Sequence, residues 1–339
     1  MIRFIICLLA ILIILMVGGC QSIGYQGPVS DHFDGKRFHF PGESAKPQSL
    51  AYNAYIFWKA ISQNPWPKLL ENPKPSPKTN HFPQVRFINH ETILIQSGET
   101  TILTDPIYSY RSSPLPIIGP ARHRLPGMHF NELPKIDIVL ISHNHYDHLD
   151  IPTLKRLEYQ YHPLFIVPLG NKHLLKAHKI QNVVEMDWWQ RISHHRTQIT
   201  MLPAQHSSQR FVFDSNRTLW ASYGIDFPGH KYFFAGDTAY NVHFKEIKRR
   251  WGKPDLAMLP IGSYEPRKLL RHEHLTPDDA MLAHRDLGAK RSFATHWLTF
   301  QLSNVYPDEV LQAFELALKK HHIPRQEFVL LQNGQTMQH

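Results

Sequence analysis

Ser142-His143-Asn144-His145-Tyr146-Asp147-His148 decides the reading of this chain. It crowds three imidazoles and a carboxylate into one short loop, directly after Ile136-Asp137-Ile138-Val139-Leu140-Ile141. That preceding stretch is rich in β-branched residues, bounded by Pro134, and reads as a buried strand. Side chains at the C-terminal end of such a strand sit on a loop carried by a rigid scaffold, where metal sites are commonly built. Alternation in an extended loop sends His143 and His145 one way and lets Asp147 and His148 turn to another centre. One loop can therefore serve two cations. The bland alternative is a solvated histidine-rich loop, but imidazole and carboxylate are standard zinc ligands.

A site for two metals needs further ligands, and the candidates are polar residues that directly follow apolar strands. His206 follows Ile199-Thr200-Met201-Leu202. Asp237 follows Tyr232-Phe233-Phe234-Ala235, with Gly236 permitting a sharp turn. His296 follows Ser292-Phe293-Ala294-Thr295. Any one of these alone reads best as a structural histidine or aspartate. Together with the cluster they predict convergence on one edge of a sandwich.

HxHxDH, then a strand-end His, a GD turn and a last strand-end His resemble the metallo-β-lactamase fold superfamily. SHNHYDHLD, the Asp187-Trp188-Trp189 run, FFAGDTAY, PIGSYEPR and THWLTF look like its branch of N-acylphosphatidylethanolamine-hydrolysing phospholipase D. The likeness covers residues 85–335 and is more specific for fold and metal site than for substrate. It implies an α/β chain folded as a four-layer αββα sandwich. It also implies two zinc ions, one held by His143, His145 and His206, the other by Asp147, His148 and His296, with Asp237 between them. His274 falls where the family has a histidine near the substrate phosphate, and His272 is a neighbouring duplicate. His90 matches the family's early histidine, but Asn89 replaces a glycine and Glu91 a small residue, which alters the expected site floor.

Two zinc ions so held would share and activate a water near neutral pH, with Asp147 and His274 as the groups closest to the chemistry. The expected reaction is phospholipase D-type hydrolysis of (N-acyl)phosphatidylethanolamine-like membrane phospholipids. Tyr264 and Arg267 are candidates for substrate binding, against a bracing role at the turn containing Pro266. Trp188 and Trp189 read as core or as the wall of an acyl groove. A lactonase or another phosphodiesterase of the same fold is the runner-up, and a non-catalytic metal- or lipid-binding envelope lipoprotein follows it.

Residues 1–20 read as a lipoprotein signal peptide: Arg3, an apolar run from Phe4 to Val17, then Gly18-Gly19-Cys20, with Cys20 as the lipidation site. An uncleaved membrane helix is the alternative. The expected location is the bacterial cell envelope outside the cytoplasm, on the outer membrane facing the periplasm rather than the inner membrane. Apart from Cys7 and Cys20 the chain has no cysteine, so no disulfide framework or catalytic thiol is expected. Metal must be held by nitrogen and oxygen, and 24 histidines supply ample nitrogen. The net charge of +9 suits anionic lipid or an anionic substrate. With scattered Lys and Arg and no recognisable nucleic-acid motif, nucleic acid is not an expected partner. Membrane phospholipid and the membrane itself are, and a homodimer is left open.

Residues 21–83 form a proline-rich leader or tether with one short helix expected over Leu50 to Ile61. The hydrolase domain is expected over 84–339. Val85–Ile95 reads as one strand, joined to Thr101–Leu103 by a hairpin at Ser97-Gly98-Glu99. Helices are expected from Asp150 to Tyr159, Asn171 to His178 and His243 to Trp251, from a start at Thr276-Pro277, and from Pro307 to Lys320.

Overall fold

A computed structural model of the protein describes residues 24–43, 66, 82–211 and 213–338. The expected signal peptide, Cys20 and the expected helix over 50–61 lie outside the described residues.

Short apolar runs with residues buried on alternating sides build two seven-stranded sheets. The first contains β1 (Gln84–Asn89), β2 (Thr92–Gln96), β3 (Thr101–Thr104), β4 (Ile138–Leu140), β5 (Leu164–Pro168), β6 (Val183–Met186) and β14 (Thr336–Gln338). Their order is β14-β1-β2-β3-β4-β5-β6. The second contains β7 (Arg191–His194), β8 (Thr197–Leu202), β9 (Ser222–Phe227), β10 (His230–Phe234), β11 (Leu256–Pro260), β12 (Arg291–Thr295) and β13 (Phe328–Val329). Their order is β13-β12-β11-β10-β9-β8-β7.

β4 shows how one sequence serves two layers. Ile138 and Leu140 pack into the core between the sheets, while Val139 and the following Ile141 pack into a second core on the outer side. The second core is completed by Leu154 and Leu157 of α1 (Ile151–Tyr161) and by Leu174 and Leu175 of α2 (Lys172–Ala177). Such two-sided burial is expected of strands in parallel pairing, and β3-β4-β5-β6 are parallel. The outer face of the second sheet is covered by α3 (His243–Arg250), α5 (Pro277–Leu287) and α6 (Pro307–Lys320) through Phe244, Leu287 and Phe314. A four-residue α4 (Arg267–Leu270) lies in the loop before α5. The layers are helix, sheet, sheet and helix, as expected.

α5 starts where the sequence indicates. Thr276 Oγ1 accepts from the Asp279 amide at 3.0 Å, and Asp279 Oδ2 accepts from the Thr276 amide at 3.1 Å. Pro277 needs no amide partner in the first turn, and Gly288 ends the helix with φ of 65°. Thr276 thereby fixes the residues just after His274.

One expected element is different. Val85–Ile95 is not one strand but two, β1 and β2, paired antiparallel with Asn89 opposite Thr92. The chain reverses at His90-Glu91, where His90 has φ of 48°. Both strands are buried on both faces, so their apolar residues run on with only Asn89-His90-Glu91 to mark the turn. That reversal brings His90 and Glu91 to the edge formed by the ends of β3, β4, β8, β10 and β12.

The leader contributes to the same body. Phe33, Phe38, Phe40 and Trp66 are all buried in the larger core. The Phe33 ring lies 5.0 Å from Tyr25 and 4.6 Å from Phe38, centroid to centroid. The His32 ring stacks on Trp188 at 4.4 Å, and His32 Nε2 lies 2.8 Å from Asp187 Oδ1. Trp188 is itself buried and donates its indole N–H to the Trp220 carbonyl, a core role. Phe33→Ala is expected to lower stability by about 3–5 kcal/mol, because a large aromatic leaves a cavity that rigid sheet neighbours cannot fill. Denaturant unfolding checks this; a change below about 1 kcal/mol would mean the strap does not support the fold.

Candidate metal centre

Each ligand candidate is set by the end of a strand. His143 to His148 follow β4, His206 follows β8, Asp237 follows β10 and His296 follows β12. Two hydrogen bonds tie the sheets together at this edge. The Ala221 amide donates to the Ser142 carbonyl at 2.8 Å, and the Tyr223 hydroxyl donates to the Ile141 carbonyl at 2.7 Å. The floor under the histidine loop is therefore shared by both sheets.

His143, His145 and His206 meet as one group. His143 Nε2 lies 2.8 Å from His145 Nδ1, and His206 Nε2 lies 3.3 Å from that same atom. The outward nitrogens explain why these atoms are aimed inward. Ser142 Oγ donates to Asp105 Oδ2 at 2.5 Å and so accepts from His143 Nδ1 at 2.9 Å. His206 Nδ1 donates to the Glu273 carbonyl at 2.8 Å. Each of these two rings then presents a bare Nε2 to the centre. Burial, with neighbouring imidazoles, pushes His143 well below its usual pKa and His145 down to about 3. Both are neutral bases at physiological pH, as metal ligands must be.

Asp147, His148 and His296 form the second group, and His90 joins them. His90 Nε2 lies 3.0 Å from Asp147 Oδ2, with His148 Nε2 at 3.2 Å and His296 Nε2 at 3.5 Å from that oxygen. Burial holds His90 down at about 3, so it is neutral and acts as a hydrogen-bond donor to Asp147. His148 Nδ1 is held 2.7 Å from Asp105 Oδ2, which turns its Nε2 inward.

Asp237 Oδ2 lies where the groups meet: 3.2 Å from His148 Nε2, 3.2 Å from His296 Nε2 and 3.7 Å from His206 Nε2. Burial opposes ionisation of Asp147 and Asp237, but the close His148 and His296 rings hold both carboxyls well below the usual range. Conversely, burial would depress His296, yet Asp237 and Asp147 lift it to about 10. The two carboxylates thus demand compensating positive charge. His148 Nε2, His296 Nε2 and Asp237 Oδ1 are buried with no hydrogen-bond partner. Orphaned donors of this kind, all nitrogen and oxygen, fit divalent cations.

His274 is also brought in. It is buried, its Nδ1 is 3.9 Å from Asp237 Oδ2, and it can join His206 and Asp237 as a donor group. Burial pushes its pKa well down, so it is neutral. His272 is not brought in; it is exposed, with Nδ1 3.5 Å from Glu43. Arg267 does not point a bare cation at the centre. Its guanidinium donates to the His274 carbonyl at 2.7 Å and to Asp279 Oδ2 at 2.6 Å, so it fixes the backbone that carries His274. Tyr264 is buried in the larger core, and burial raises its hydroxyl to about 12. Glu91 lies wholly buried near the centre, and burial together with Asp237 raises its carboxyl well above the usual range.

Asp105 escaped the sequence reading. It follows β3 just as His206 follows β8, and its carboxylate orients both His143, through Ser142, and His148. The rule that marked the other strand ends applies to it equally.

The chain is similar to known proteins. The chain is 35% identical over 227 residues to N-acyl-phosphatidylethanolamine-hydrolyzing phospholipase D 1 of Caenorhabditis elegans, covering 64% of each chain. It is 36% identical over 225 residues to the mitochondrial N-acyl-phosphatidylethanolamine-hydrolyzing phospholipase D of Saccharomyces cerevisiae, covering 62% of this chain and 47% of that one. The matches thus span less than two thirds of these relatives' own lengths. Among solved structures, the isothiocyanate hydrolase from Delia radicum gut bacteria superposes with a TM-score of 0.61 at 16% identity, covering 76% of this chain and 99% of that one. That likeness concerns the fold. The β-lactamase superfamily domain matches residues 100–297, from β3 to just past His296, and the chain belongs to that superfamily, with the metallo-β-lactamase fold.

Proposed function

We propose that the protein is a zinc-dependent phosphodiesterase that hydrolyses (N-acyl)phosphatidylethanolamine-like membrane phospholipids in the manner of a phospholipase D. One observation carries the reading: two groups of imidazoles converge on a single buried carboxylate, Asp237. The names of the relatives supply the substrate class. Water attacks phosphorus, the headgroup-side P–O bond breaks, and phosphatidate and the headgroup alcohol leave.

Two zinc ions bound here would supply Lewis acidity and lower the pKa of a bound water toward neutrality. His143, His145 and His206 would hold one and Asp147, His148 and His296 the other, with the Asp237 carboxylate available to either group. His90 keeps the Asp147 carboxylate in place. His274, neutral and braced by Arg267, donates one N–H to a phosphoryl oxygen as negative charge grows there. The net charge of +9 and the expected anchor at Cys20 suit a substrate embedded in an anionic bilayer at the bacterial envelope.

Incubation with vesicles of ordinary and N-acylated phosphatidylethanolamine, alongside metal analysis, tests this. Release of phosphatidate by protein carrying about two zinc ions per chain is expected. Inertness toward both lipids, with turnover of a lactone, overturns it. His274→Ala is expected to lower kcat by roughly 100- to 1000-fold, as for loss of a donor to a developing oxyanion. Its zinc content should be unchanged; loss of metal instead would make His274 a ligand.

A further inference from the structure

Large apolar side chains are unevenly exposed. Among the described residues, all but four of the exposed ones (Val29, Phe82, Tyr159 and Leu316) lie on segments that leave β3, β8, β10, β11 and β12 at the edge where the metal ligands are carried. Ile117, 77% exposed, is the most exposed of these, and its neighbour Ile118 is 54% exposed. They follow Ser112-Ser113-Pro114-Leu115-Pro116 at the tip of an arm between β3 and β4. The arm is a built structure. The Ser112 amide donates to the Pro120 carbonyl at 3.0 Å, Arg111 Nη1 to the Gly119 carbonyl at 2.6 Å, and the Arg122 amide to the Tyr110 carbonyl at 2.9 Å. Its base is fastened beside the metal centre, because the His123 amide donates to the Thr299 carbonyl at 2.8 Å, three residues past His296. Buried Arg122 stiffens that base by donating to the Ile107 and Ser109 carbonyls.

We infer that this edge is the face that docks on an anionic lipid bilayer, with Ile117 and Ile118 inserting among the acyl chains. This rests on the membrane-phospholipid reading above. A rigid arm that holds two isoleucines in water has no benefit in solution, whereas their transfer into the interfacial region removes apolar surface from water. The charge around them fits a negative surface. Arg111 flanks the tip, and exposed Leu269 lies between exposed Lys268 and Arg271 on α4 at the same edge. Docking in this orientation faces the centre toward the headgroup layer, where the scissile phosphodiester lies.

The full chain carrying Ile117→Trp tests docking without reference to turnover. On vesicles of phosphatidylcholine with phosphatidylglycerol, its emission, after subtraction of wild-type signal from the seven native tryptophans, should shift to the blue and be quenched by brominated acyl chains. Pure phosphatidylcholine should give a several-fold weaker response. Absence of the shift overturns the inference, as does an equal response on both vesicles. The double variant Ile117→Asp/Ile118→Asp should lose about tenfold or more of its turnover on phosphatidylethanolamine vesicles. On monomeric short-chain phosphatidylethanolamine it should keep the wild-type rate. Equal loss on both substrates, or loss on neither, overturns it. Wild-type protein inert toward every phospholipid, with the emission shift intact, removes the proposed activity and supports the docking face.

Discussion

Asp237→Asn is expected to lower kcat by about a thousandfold while leaving the fold intact. Among the described residues, Asp237 is the one carboxylate within 3.7 Å of imidazoles from both donor groups, and it is buried. Asparagine keeps the shape but removes the negative charge and one acceptor oxygen. With metal held as proposed, the site would lose a negative charge that balances the bound cations, and the electrostatic stabilisation lost would be of the order of several kcal/mol, each ~1.4 kcal/mol being tenfold in rate. Steady-state rates with metal analysis and near-UV circular dichroism make the test. A variant that keeps two zinc ions and a rate within tenfold of wild type would show that Asp237 does not join the two sites.

Asp105→Asn should weaken zinc binding by about 10- to 100-fold, with a smaller cost in stability of about 1–3 kcal/mol. Asp105 acts through two ligand rings, although its carboxylate also lies within 4.8 Å of donor atoms of His143 and His148. Its carboxylate accepts from the Ser142 amide at 2.7 Å, from Ser142 Oγ at 2.5 Å and from His148 Nδ1 at 2.7 Å. An amide in its place has a single acceptor oxygen and presents N–H groups to donors, so one of those partners is left unsatisfied. His148 is then free to turn, and Ser142 no longer fixes the tautomer of His143. Competition with a chromophoric chelator reads the affinity, and thermal unfolding of the metal-free chain reads the stability. Unchanged affinity would reduce Asp105 to a packing residue.

The contrast between these two aspartates shows what could be read from the chain. Asp237 stands out because it interrupts an apolar strand beside a glycine with φ of 56°, a local signal. Asp105 interrupts its strand in the same way, but its role depends on β3 lying beside β4 in parallel register, with Thr104 opposite Leu140. His90 was visible as a residue, yet its position follows from a reversal inside an apolar run that periodicity merges into one strand. The sequence offers Arg267 for substrate binding or for bracing the turn containing Pro266, whereas its guanidinium pairs with Asp279, twelve residues on. The leader prolines spoke against a regular core, and Phe33, Phe38 and Phe40 nevertheless belong to one. Proline limits backbone geometry; it does not stop aromatic side chains from finding apolar partners.

By itself, the sequence determined the ligand chemistry, nitrogen and oxygen without sulfur, and the strand ends on which it is carried. These are local properties: residue type, and the point where an apolar run stops. Only the tertiary structure decided which donors share a centre, which nitrogen of each imidazole faces it, and that leader aromatics pack into the larger core. Those depend on strand order and on hydrogen bonds between residues far apart in the chain, such as His148 with Asp105 and His206 with Glu273, whose partners meet only after both sheets have closed.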